Sequence, residues 1–139
     1  MTQSSAKLVR AVLMAAALAG GTLQVQAAEL AVKLAGSNEV PPVTSTASAS
    51  AKISVADDGT VTGSITTTGI AATAAHIHEG APGKNGGVVI PLTKDGDTFT
   101  VPAGSKLNAA QLASFKAGNL YVNVHSAANP KGELRAQLN

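Results

Sequence analysis

Seven or eight short stretches of this chain alternate apolar with polar residues, and glycine, proline or an Asp-Gly pair closes most of them. Successive side chains on a strand point to opposite faces, so each stretch can bury one face and wet the other. Residues 30–34, 47–55 and 61–66 carry the pattern, the last two joined across Asp57-Asp58-Gly59, a hairpin signal. Residues 75–80, 88–92, 98–101, 120–125 and 133–138 repeat it, with Lys94-Asp95-Gly96-Asp97 as a polar turn. Pro41 and Pro42 exclude a central strand around Glu39, because proline cannot donate to a ladder. Only residues 109–116 read as a helix, with Asn108 as its N-cap and Leu112 and Phe115 three apart. The expected fold is all-β, an antiparallel sandwich of seven or eight strands with one short helix.

The N-terminal residues stand outside that pattern. Lys7 and Arg10 precede an apolar run over residues 11–19, and Val25-Gln26-Ala27 offers small residues where a signal peptidase cuts. The run is short for a bilayer span, which needs about 20 apolar residues. We therefore expect a signal peptide over residues 1–27, a single domain over 28–139, no membrane span once the signal is removed, and a periplasmic or secreted product. Without Lys7 and Arg10, eight Lys+Arg face eight Asp+Glu, so the basic balance belongs to the leader. A near-neutral domain without a basic cluster or aromatic platform has no footprint for nucleic acid. There is no cysteine, which excludes a disulfide, a thiolate metal site and a cysteine nucleophile. With one Tyr, two Phe and no Trp, the core has to be built from Val, Ile, Leu and Ala.

All three histidines fall in two of the alternating runs. His76 and His78 share one face of their run and Ile77 takes the other; Tyr121, Asn123 and His125 share a face opposite Leu120, Val122 and Val124. If the apolar faces enter the core and the two strands are neighbours, three imidazoles converge on the outer side. Imidazole suits copper, zinc, iron and nickel, and three neutral rings leave a coordination position open. Tyr121 and Asn123 would line the same face. Glu133, on the parity of Arg135 and Gln137, would accept an N–H from His125 and fix its tautomer; Glu79 has the wrong parity for this unless a bulge turns it. The alternative is a hydrogen-bonded histidine cluster that braces strands. Glu39 reads first as a loop anchor. The glycine-rich stretch 80–87 lacks the Gly-Lys-Ser/Thr ending of a phosphate loop and reads as a rim over the histidine face. No Ser-His-Asp arrangement can be assembled, so the catalytic residues stay unassigned.

Three ordered motifs, Glu39-Val40-Pro41-Pro42-Val43, then Ala75-His76-Ile77-His78-Glu79-Gly80-Ala81-Pro82-Gly83-Lys84-Asn85-Gly86, then Leu120-Tyr121-Val122-Asn123-Val124-His125-Ser126 through Pro130-Lys131-Gly132-Glu133-Leu134-Arg135, resemble the CHRD domain. The family is named for chordin and occurs as stand-alone exported bacterial proteins. The resemblance spans nearly all of residues 28–139 and implies a Greek-key, immunoglobulin-like sandwich; it implies little about activity. A second, local resemblance is to copper–zinc superoxide dismutases, where a His-x-His strand and a later histidine hold copper. It places His76, His78 and His125 as copper ligands. No fourth histidine, zinc site or cysteine pair accompanies them, so a dismutase of this kind would be copper-only. The functional expectation is an exported protein with a three-histidine transition-metal site, a copper ion favoured over a zinc ion, supporting redox chemistry such as superoxide dismutation. The competing expectation is a non-catalytic protein-binding or structural module with a protein partner. The oligomeric state is left open.

Overall fold

The computed structural model describes residues 20–22 and 26–139. Most of the expected leader therefore lies outside the described residues. No helix among the described residues is long and apolar enough to cross a membrane. Among the described residues, nine strands form two antiparallel sheets. They are β1 (Ala27–Leu34), β2 (Ser48–Ala56), β3 (Val61–Thr68), β4 (Ala72–Glu79), β5 (Val88–Pro91), β6 (Thr93–Asp95), β7 (Thr98–Thr100), β8 (Leu120–Ser126) and β9 (Leu134–Gln137). One sheet has the order β1-β2-β3-β7-β6 and the other β5-β4-β8-β9, so the chain changes sheet after β3, after β5 and after β7. β1 begins one residue before the expected domain boundary, with Ala27 opposite Ala56.

The alternation works as the sequence requires. Ile53, Val55, Val61, Ile65 and Phe99 project from the five-stranded sheet, and Ala75, Ile77, Ile90, Val122, Val124, Leu134 and Ala136 from the four-stranded one, into one buried cluster. Ile77 faces Ile90 and Val122, and Val122 faces Ala136, so the inner face of the second sheet is a continuous apolar row. Phe99 is the large aromatic at its centre and is wholly buried. Burial of this size contributes about 1.5–3 kcal/mol per large side chain.

Two local features go beyond the sequence reading. Lys94 and Asp95, expected in the polar turn, join Thr93 in β6, a fully exposed edge strand that pairs only with β7. The helix α1 (Ala109–Lys116) is where expected, and its Asn108 cap is reciprocated: Gln111 N–H donates to Asn108 Oδ1 and Asn108 N–H to Gln111 Oε1. That closure bridges β7 and β8 and returns the chain to the second sheet beside β4.

Candidate metal centre

Register decides which side chains meet on the outer face of the second sheet. His76 lies opposite Asn123, and Asn123 opposite Arg135; His78 lies opposite Tyr121, and Tyr121 opposite Gln137. His125 pairs with Ala74 beside a bulge, which places it diagonal to His76. The expected convergence is present. His76 Nδ1 is 2.9 Å from His125 Nε2, and the ring centroids of His76 lie 5.5 Å from His78 and 4.7 Å from His125. One ring nitrogen from each histidine falls within 4.8 Å of the others. Metal–nitrogen bonds of about 2.0–2.1 Å limit two donors on one ion to about 4.2 Å apart. A shift of about half an ångström would bring the widest pair into range.

Two of the rings are oriented by the backbone. His78 Nδ1 lies 2.9 Å from Gly86 O, and His125 Nδ1 lies 3.0 Å from Pro130 O. A carbonyl only accepts, so Nδ1 of each ring donates and Nε2 turns toward the cluster. This is the arrangement by which outer partners fix the tautomer of ligating histidines. His78 is buried and its Nε2 has no hydrogen-bond partner. Burial is the main effect that lowers the pKa of His76 and of His78; the charge of His125 adds to it in both, while the hydrogen bond to Gly86 opposes it in His78. Both rings are thereby held toward the neutral, metal-ligating form.

The outer face is not a wet surface. Tyr121, Asn123 and Arg135 are all buried, because three loops lie over the sheet. The loop after β1 is tied down by reciprocal backbone bonds between Ala35 and Arg135. The loop 80–87 crosses the face as expected. Gly86 N–H donates to the Tyr121 hydroxyl, while Lys84 O and Asn85 Oδ1 accept from the Arg135 guanidinium. Gly86 has to be glycine there, since a side chain would collide with the Glu79 carbonyl. Below the loop is a stack: the Arg135 guanidinium lies 3.5 Å from the Tyr121 ring centre, and Tyr121 lies parallel to His78 at 4.8 Å. Tyr121 therefore buttresses His78, and the Asn123 side-chain amide lies against His125 Nε2.

Glu133 does not take the role expected of it. Its carboxylate accepts from Ser45, Ser126 and Asn129 rather than from His125, whose partner is the Pro130 carbonyl. It precedes β9, where the chain has not yet left the loop after β8, so strand parity does not aim its side chain. Burial opposes ionisation of Glu133, but those three donors together hold its pKa below the usual value. Glu79, as its parity requires, stays out of the cluster and accepts from Ser114. The carbonyls of Gly86 and Pro130, invisible to side-chain patterning, do the orienting, and the buried Arg135 was readable only as a parity position.

A cleft of about 520 Å³ opens beside the histidines, walled by His78, Tyr121 and Asn123, by residues 39–43 and by residues 128–132. No curated protein and no solved structure matches the chain. A family model does, that of the CHRD domain, over residues 30–138. The motifs that cover the outer face and those that carry its histidines all lie inside that span, and the chain belongs to the CHRD domain family.

Proposed function

We propose that this protein binds one transition-metal ion, copper in preference to zinc, through His76, His78 and His125. The observation that carries the reading is His78: a buried ring whose Nδ1 is engaged by Gly86 and whose Nε2, beside two other imidazoles, has no partner. A buried polar atom without a partner costs about 1–3 kcal/mol, and an ion removes that cost. Three imidazole donors accept copper and zinc alike, and copper stands above zinc in intrinsic affinity. Three imidazole donors leave room on such an ion for a further ligand. A copper ion held by His76, His78 and His125 would supply the one-electron redox chemistry that superoxide dismutation requires. The N-terminal pattern supports export, so the protein would act in the periplasm or beyond the cell.

The His76–His125 hydrogen bond favours a second reading, a metal-free cross-brace in a module that binds a protein partner. Metal titration of the full chain, free of any added histidines, separates the two. One copper per chain, with affinity reduced at least about 100-fold in His76→Ala and in His125→Ala, supports the site. Absence of binding by a folded wild type overturns it.

A further inference from the structure

Among the described residues, two buried side-chain atoms have no hydrogen-bond partner, and both belong to walls of the same cleft. One is His78 Nε2. The other is Oε1 of Glu39, whose side chain is only 6% exposed. The metal reading accounts for the first and not for the second, since Glu39 is not among the donors that gather within 4.8 Å. Glu39 is placed by packing. Its carboxylate rests on Gly132, where an added side chain would lie 2.5 Å from Oε1 and where a φ of +128° also favours glycine, so the 128–132 loop packs closely over it. The neighbouring cation does not cap it: the Arg135 guanidinium donates to Lys84 O and Asn85 Oδ1 and faces the Tyr121 ring.

Glu39 lines the cleft with this acceptor left unpartnered. The wall next to it, Val40, Pro41, Pro42 and Val43, is apolar and offers packing surface without competing polar side chains. The volume, about 520 Å³, lies within the range of small-molecule sites. We propose that this cleft binds a small organic molecule that presents an O–H or N–H donor to the Glu39 carboxyl group and packs an apolar body against residues 40–43. The site goes beyond the metal reading and does not depend on it. The raised pKa of Glu39, about 7, agrees with a carboxyl group that lacks its partner in the ligand-free protein.

The test is calorimetry on the full chain, metal-free and zinc-loaded, with phenol, benzylamine and anisole. Phenol and benzylamine carry donors of the two kinds, and anisole keeps the ring and oxygen without a donor. The expected result is saturable binding of phenol or benzylamine at millimolar levels, with anisole and the Glu39→Leu variant each at least about tenfold weaker. Phenol alone assigns a hydroxyl ligand; benzylamine alone assigns an amine. If Glu39→Leu does not fold, Glu39→Gln keeps the shape without the charge, and at least about a fivefold loss is expected. No saturable binding up to about 10 mM overturns the proposal, as does anisole binding as well as phenol, or a Glu39 variant that folds and binds unchanged. Binding of a donor ligand by a chain that takes up no metal would sustain this site and overturn the metal reading, so the two fail separately.

Discussion

Replacing Glu39 with leucine should change how the stability of this protein depends on pH. Burial holds the Glu39 carboxyl at about 7, against 4.5 when exposed, and the charge of Arg135 only partly offsets it. A group whose folded pKa is raised binds its proton more tightly in the native state. Its contribution is full below pH 4.5 and is lost as pH rises through about 7. A full shift of that size corresponds to about 3.4 kcal/mol at about 1.36 kcal/mol per pKa unit. Only Oε1 is sealed from solvent, so screening at the outer oxygen reduces the expected loss to about 2 kcal/mol. Urea unfolding of the metal-free chain at intervals from about pH 4.5 to 8.5 measures it. His76 and His78, with lowered values, act in the opposite sense and lose stability as pH falls below about 6.5; they are common to both proteins and cancel in the difference. The wild type should lose about 2 kcal/mol more than Glu39→Leu across the range, with the variant at least as stable near pH 8. Parallel curves would refute the reasoning.

Other substitutions test the supports around the site. Gly86→Ala places a side chain against the Glu79 carbonyl and should cost at least about 2 kcal/mol while displacing the acceptor of His78, read by unfolding and by loss of metal affinity. Glu133→Gln removes a charged acceptor from Ser45, Ser126 and Asn129 and should cost about 1–3 kcal/mol. It should also loosen the loop that carries Pro130, seen as faster amide exchange over residues 127–132. Phe99→Ala empties the centre of the core and should cost about 3–5 kcal/mol in thermal or urea unfolding, with metal affinity unchanged in the folded fraction.

The parts of the molecule set by neighbouring residues were legible in the sequence. Period-two alternation located most strands, and it put His76, His78 and His125 on one face because Ile77, Val122 and Val124 had to enter the core. What alternation cannot express is how far a loop travels. The burial of Tyr121, Asn123 and Arg135 on an outer face comes from loops anchored by single contacts distant in sequence, such as Ala35 with Arg135. Glu133 was misjudged for the same reason: strand parity was extended to a residue still in a loop, where Ser45, distant in sequence, helps to hold it. The available signal for Glu39 was Gly132, against which its carboxylate rests, but nothing in the local pattern pairs the two.

The central claim is that three imidazole nitrogens share one ion. Electron paramagnetic resonance of the full chain loaded with one equivalent of Cu(II) tests it most directly, through the nitrogen couplings of the bound copper. The expected spectrum is a single species with three imidazole nitrogens, reduced to two in His78→Ala. A spectrum of loosely bound copper, or one that the His78 substitution leaves unchanged, would contradict the account.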